Sequence, residues 1–191
     1  MHKVDPEIFF IDNSEYEKKP HLGLLINEED QKYVIPLTSA KPKHATWDDV
    51  TANTYRIYEI IDTRSAVMDS FDIIVDIKNK DLLKQKNIPA TEYANYKQRI
   101  LSVLDIKKMF PITEGAYRLA ELNIVDGLSL EERQRRGLMQ KEYEFCVKIK
   151  EDIRRKASQV YNKQIQTGKV LKFHCNFKAL EQAAHTYIPS K

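Results

Sequence analysis

Glycine and cysteine are both scarce in this chain. Five glycines are spread over 191 residues, with none between Gly23 and Gly115. That excludes a flexible Gly-rich linker between separate domains. Cys146 and Cys175 stand apart without CxxC spacing, which excludes a disulfide framework and fits a reducing cytosol. No apolar run approaches the roughly 20 residues of a membrane-spanning helix. The opening MHKVDPEIFFID lacks the basic and apolar regions of a secretory leader, so the expectation is a cytoplasmic protein with no membrane partner. Phosphate and metal signatures are also missing: there is no GxxxxGK[ST], no GxGxxG and no HExxH. The five histidines (His2, His21, His44, His174, His185) lie far apart, and no paired acidic spacing suggests a Mg²⁺ site. No metal and no cofactor are expected.

Apolar residues make up 42% of the chain and charged residues 31%, a globular composition rather than a disordered one. The length suits one domain over residues 1–191, with an elaborated segment at about 61–99. Net charge is only +3, but it is unevenly placed. Residues 133–172 hold twelve Lys or Arg against four acids, a local +8 that leaves −5 for the remainder. Such asymmetry points to a polyanionic partner on one face, although a solvated helix face accounts for it equally well.

Strand signals dominate the first half. EIFFID (7–12) is a short strand, and HLGLLI (21–26) and KYVIPL (32–37) form a hairpin across a polar turn. TYRIYEII (54–61), FDIIVDI (71–77) and ILSVLDI (100–106) read as further strands, the last ending near MFPI (109–112). Between them NKDLLKQK and TEYANYKQ are polar and helical, broken by Pro89. The second half changes period. TEGAYRLAEL (113–122) suits a short helix, and Ser129 with Glu132 makes a capping box for another. Leu138, Cys146, Ile149, Ile153, Ala157, Val160 and Gln164 recur at helical spacing, which predicts one long amphipathic helix with a basic outer face. KVLKF (169–173) reads as strand, and Asn176 can cap a last helix. Strands first and helices later, without a βαβ rhythm, predict an α+β fold with a mainly antiparallel sheet.

One stretch concentrates reactive side chains. VIPLTSAKPKHATW (34–47) begins as a buried strand and turns into Thr38, Ser39, Lys41, Lys43 and His44. Hydroxyls after a strand often bond their own backbone in turns, and Lys-Pro-Lys is also an ordinary exposed loop. Read as chemistry, the cluster suits cleavage of RNA, whose ribose 2′-OH attacks the adjacent phosphate. The protein must then take the 2′ proton, protonate the 5′ leaving oxygen and stabilise the phosphorane. Lysines do this without a metal, provided that crowding or burial lowers the pKa of the base. Lys19 precedes the strand that pairs with KYVIPL and can enter the same space. Trp47 reads as packing rather than base stacking, and His174–Cys175 is no convincing nucleophile dyad.

At these residues the chain resembles the ToxN/AbiQ toxins of type III toxin–antitoxin systems. The likeness runs in order through IFFIDNSEY, KKPHLGLLI, KYVIPLTSAKPKH, LSVLDIKKMFPI, YEFCVKIKEDI and TGKVLKFHCNF. Residues 61–99 look longer than the connection usual there, and no tyrosine stands near Gln140. The resemblance implies a strongly bent antiparallel sheet surrounded by helices, related to the Kid/MazF toxin fold. It implies a metal-independent endoribonuclease leaving a 2′,3′-cyclic phosphate and a 5′-hydroxyl. It further implies a small pseudoknot RNA antitoxin cut from tandem repeats and bound in a closed protein–RNA hetero-oligomer. Cellular or phage mRNA would be the substrate and abortive infection an outcome. Carried onto this chain, the site is Tyr16, Lys19, Thr38, Ser39 and Lys41. RNA contacts fall to Lys43, His44, Arg133, Arg136, Lys141, Lys148, Arg154, Arg155, Lys169 and Lys172. Two other readings stay open here: a non-catalytic RNA-binding protein, and a MazF-like toxin with a protein antitoxin.

Overall fold

Pro36 marks the point where the central strand changes partners. In the computed structural model, which describes residues 7–11, 20–28, 31–113 and 117–186, this strand is β3 (Gln31–Ser39). One edge of β3 takes β2 (Pro20–Glu28), with His21 opposite Pro36 and Leu24 opposite Tyr33. The other edge takes β7 (Phe110–Ile112) through Lys32–Val34 and β6 (Tyr96–Asp105) through Leu37–Ser39. Proline has no N–H to donate to a ladder, so it sits at low cost between those two pairings. β6 changes partners in the same way. Its first half pairs β5 (Ile73–Asp76) and its second half pairs β3, while β4 (Thr54–Asp62) runs along its far edge. β1 (Glu7–Ile11) and β8 (Tyr117–Leu119) extend the sheet beyond β2. Every pairing among the described strands is antiparallel, and the sheet is open. The segment 61–99 thus contributes β5, a short helix α1 (Asp81–Gln85) and the start of β6.

The core lies between one sheet face and the later helices. Alternate residues of β3 (Tyr33, Ile35, Leu37) join Tyr55 and Ile57 of β4 and Leu104 of β6 beneath Met139, Cys146, Ile153, Ala157 and Phe177. Each large apolar side chain fully buried there contributes about 1.5–3 kcal/mol. Two buried tyrosines tie strands to helices: Tyr55 donates to Asp152 Oδ2 at 2.5 Å and Tyr33 donates to Glu181 Oε1.

Three sequence expectations are corrected. The single long helix is two helices, α2 (Leu130–Lys148) and α3 (Lys150–Thr167), of 19 and 18 residues. Ile149 breaks them at φ −113° and ψ 14°. A straight helix of their joint length would run about 55 Å, against about 33 Å for β6, the longest strand among those described. The break lets α2 pack on β4 and β6 while α3 packs on β2 and the turn at 106–108. The apolar stripe continues in phase through it, so periodicity alone does not reveal it. The helix expected over 113–122 is instead strand β8 at 117–119, where pairing with β1 outweighs local helix propensity. The strand expected at 169–173 is irregular. α3 stops at Gly168, whose φ of +63° is the left-handed cap that glycine favours, and His174 N–H then closes a turn on the Leu171 carbonyl at 3.0 Å. The capping residues are as expected: Ser129 Oγ accepts from Glu132 N–H at 3.2 Å, and Asn176 Oδ1 accepts from Ala179 N–H at 3.2 Å at the start of α4 (Phe177–Thr186).

Candidate active site and basic surface

Thr38, Ser39 and Lys41 are exposed at the end of β3. The β3–β6 register puts Thr38 opposite Val103 and Ser39 opposite Ser102. Side chains alternate along a strand, so the two hydroxyls leave opposite faces of the sheet. Ser39 lies on the side of Leu37 and the core, and Thr38 on the other. Lys41 is still extended, at φ −137° and ψ 154°, and continues the alternation on the side of Ser39. None of the three side chains hydrogen-bonds another described residue. Tyr16 and Lys19 lie outside the described residues.

The loop after the strand is held from below. A 3₁₀ turn spans Pro42–Thr46. His44, only 2% exposed, accepts the Lys41 amide on Nδ1 at 3.1 Å, while its own amide donates to the Lys41 carbonyl at 2.8 Å. Burial, then the charges of Lys43 and Lys41, hold its pKa below the ordinary histidine value. Beneath it runs Arg56, also 2% exposed. Its Nη1 donates to the carbonyls of His44 and Ala45, both at 3.2 Å, and its Nε and Nη2 donate to Asp49 Oδ1 at 3.0 and 2.5 Å. Gln98 closes the network on Asp49 Oδ2 at 3.2 Å. His44 is therefore a positioning residue, not a surface contact. Trp47 packs on it, ring centres 4.6 Å apart, and Lys43 Nζ stands 5.8 Å from the Trp47 ring centre.

A second buried polar group backs the Ser39 side. Glu142 of α2 and Ser102 of β6 are 2% and 1% exposed. Neither Glu142 Oε2 nor Ser102 Oγ makes a hydrogen bond of good geometry. Burial raises the Glu142 carboxyl to about 7, and the nearby Ser102 hydroxyl works weakly against that shift. Burial also raises both thiols, Cys146 strongly, which leaves them poor nucleophiles. Among the described residues, no three His, Cys, Asp or Glu side chains are grouped as metal ligands would be, and no helix is long and apolar enough to cross a membrane.

The basic segment divides into engaged and open cations. Arg136 holds Glu132 at 2.7 Å, Glu121 at 3.0 Å and the Asn123 carbonyl at 2.8 Å, which pins the preceding loop to α2. Lys141 bridges to Glu59 at 2.8 Å. Arg155 pairs with Asp152, and Arg154 stands 3.6 Å from Glu151. Exposed helical pairs such as the last two are worth only about 0.3–0.5 kcal/mol and yield readily to a phosphate. Arg133, Lys148 and Lys169 are exposed without an acidic partner among the described residues. Lys172 is exposed too, its Nζ 5.0 Å from the Phe173 ring centre. The structure does not gather all ten predicted RNA contacts on one patch. They run from the 38–44 loop across α2 and α3 to the 168–174 segment.

The profile of the toxin ToxN family of type III toxin–antitoxin systems matches residues 1–185. The chain belongs to this family. Three solved structures share its fold. AbiQ, a lactococcal anti-phage endoribonuclease of the type III class, superposes with a TM-score of 0.61 at 20% identity, covering 95% of this chain and 97% of AbiQ. A structure from a bacterial antiviral system regulated by a processed non-coding RNA gives 0.58 at 17% identity over 95% and 98%. A type III system in which a non-coding RNA pseudoknot selectively inhibits the toxin gives 0.60 at 16% identity over 95% and 97%. At these identities the likeness shows the fold. No curated protein sequence matches the chain.

Within this ToxN-family chain, sequence reasoning missed the supports of the loop. Arg56 was visible as a charge inside an apolar strand, alternating with Tyr55 and Ile57. A cation at such a position must be paired if it is buried, and that was the available signal for Asp49. Glu142 gave a similar sign, since it lies on the stripe that includes Met139 and Cys146.

Proposed function

We propose that this ToxN-family protein is a metal-independent endoribonuclease that acts in the cytoplasm on cellular or phage transcripts. A small pseudoknot RNA, cut by the toxin from tandem repeats, holds it inactive in a closed protein–RNA assembly. The observation that carries the reading is the exposed pair Ser39 and Lys41. They share one side of the β3 terminus and sit on a loop fixed by buried Arg56 and His44.

In the reaction the ribose 2′ oxygen attacks the adjacent phosphorus and the bond from phosphorus to O5′ breaks. The 2′ proton passes to a lysine amine, and a proton is delivered to the departing O5′. The products are a 2′,3′-cyclic phosphate and a 5′-hydroxyl. Lys41 and Lys19 are the candidates for the base and for the cation facing the phosphorane. Ser39 donates to a phosphoryl oxygen beside Lys41, and Thr38, on the opposite side, positions the neighbouring part of the strand. Tyr16 orients the ribose. The open cations of residues 133–172 hold the antitoxin backbone. The test is incubation of purified protein with its repeat RNA in EDTA. Cyclic-phosphate ends that vanish in Ser39→Ala and Lys41→Ala support the reading. Intact RNA in a shifted band would make the protein a binder, and unchanged cleavage by both variants would move the site.

A further inference from the structure

A cleft of about 520 Å³ opens beside α3, away from the strand terminus. Its walls are α3, the turn at 51–53 and the segment that follows Gly168. The volume is in the range of small-molecule sites, and three features define its chemistry. Val160 and Leu171 give it an apolar surface, and no Asp or Glu is among the described residues that line it. Lys163 and Lys169 stand at its edge, both exposed and without a partner among the described residues. Lys156, by contrast, is spent on the fold: its Nζ donates to the Thr51 carbonyl at 2.8 Å and lies 4.5 Å from the Tyr55 ring centre.

The remaining lining groups are neutral hydrogen-bonding side chains. Gln159 and Asn53 have side chains uncommitted among the described residues. His174 is half-buried, and desolvation with the charges of Lys107, Lys108 and Lys163 keeps its pKa below the ordinary value. It therefore offers one donor and one acceptor near neutral pH. An apolar surface edged with donors and acceptors, beside two free cations, fits a flat heteroaromatic ring linked to a phosphate. An acidic peptide would use the lysines and leave that surface empty.

We propose that this cleft holds one unstacked nucleotide of a bound RNA strand, its base against Val160 and Leu171 and its phosphate between Lys163 and Lys169. The assignment rests on the reading of the protein as RNA-binding, but not on where or whether it cuts. Bases outside a helix are the usual source of sequence information in RNA recognition, so the cleft would contribute to the choice of antitoxin.

The test uses the full chain and a single-stranded 2′-O-methyl RNA of about 12 nucleotides carrying 4-thiouridine, which cannot be cut by 2′ attack. On irradiation, crosslinks are expected on peptides covering 156–174. In Lys163→Ala/Lys169→Ala the dissociation constant should rise about tenfold, and the salt slope should fall by about 1.4, some 0.7 for each lost phosphate contact. Melting should be unchanged, since neither lysine holds a described partner. Ser39→Ala should keep the crosslinks while losing cleavage. Crosslinks confined to 38–44 or to α2, or an unaltered dissociation constant in the double variant, overturn the cleft and leave the nuclease intact. Tighter binding of AMP alone than of the strand would make it a mononucleotide site and also overturn the assignment. Cleavage without detectable strand binding overturns the cleft alone. Loss of both cleavage and binding in the unmodified protein removes the RNA reading itself.

Discussion

Lys41 and His44 hold each other through the main chain, with the Lys41 amide on His44 Nδ1 at 3.1 Å and the His44 amide on the Lys41 carbonyl at 2.8 Å. The first bond needs an unprotonated Nδ1. The unfolded chain protonates His44 below about pH 6.5, while the folded chain resists, chiefly because the ring is buried. Stability from this group is therefore present above the unfolded pKa and is lost as pH falls through it toward the depressed folded value. His44→Asn keeps an acceptor without a titrating ring. Urea unfolding should show a shallower loss on acidification in His44→Asn than in the native chain. His44→Ala should cost about 1–3 kcal/mol at neutral pH. Parallel acid limbs in native and Asn variants would remove the role assigned to the ring.

The strand framework was legible because hydrophobic alternation is local and the β2–β3 hairpin joins neighbouring segments. What stayed hidden depends on distant partners. Residues 117–119 look helical by composition and become a strand only because Phe9–Ile11 offer an edge. Thr38 and Ser39 look like one cluster in sequence. Only the pairing with Val103 and Ser102 shows that they face opposite ways. His44 reads as a surface histidine until Arg56, twelve residues later, is seen to bind its carbonyl.

The opposed directions of Thr38 and Ser39 predict unequal roles. Ser39→Ala and Lys41→Ala, acting on one phosphate, should each lower single-turnover cleavage by about 10²-fold or more, as loss of a transition-state donor does. Their double variant should lose less than the product of the two effects, because the side chains work together. Thr38→Val should have a smaller effect that multiplies independently with Lys41→Ala. Equal coupling of both hydroxyls to Lys41 would show that the strand end is not extended when RNA is bound.

The Arg56–Asp49 pair is the mechanical base of the loop. The guanidinium has almost no solvent contact, so losing its carboxylate strands a buried charge. Asp49→Ala should cost about 3–5 kcal/mol. Arg56→Lys cannot make the two-nitrogen contact with Asp49 and reach both carbonyls, so it should reduce cleavage while RNA binding by α2 and α3 persists. Denaturation with a parallel gel-shift measurement separates the two outcomes. Full activity in Arg56→Lys would mean that the loop needs no such support.

The cations of α2 should sort by their partners. Arg136 is tied to two carboxylates and a carbonyl, so Arg136→Ala should lower the melting temperature by a few degrees, as a loss of about 1 kcal/mol does. Arg133 and Lys148 are open. Their alanine variants should melt normally, and each should reduce the salt slope of antitoxin binding by roughly 0.7–0.9. A normal slope in both would place the antitoxin on another face.

Glu142 is a carboxyl in a place suited to a neutral side chain, raised by burial to about 7 from about 4.3 in the unfolded chain. Between these values the folded protein binds the extra proton, so stability falls as pH rises. The favourable contribution is complete below about pH 4.3 and has been lost once pH passes about 7. By linkage the full span is about 3 kcal/mol. Glu142→Gln keeps the shape without the charge, and its amide can donate to Ser102 Oγ, which lacks a well-formed bond. It should therefore match the native chain near pH 5 and exceed it in stability near pH 8, with a flatter profile between. Because Ser102 is the cross-strand partner of Ser39, ionisation at Glu142 is also felt beside the reactive pair. The variant should shift the alkaline limb of the cleavage pH profile, whereas a packing role alone would change the melting curve and leave that limb in place.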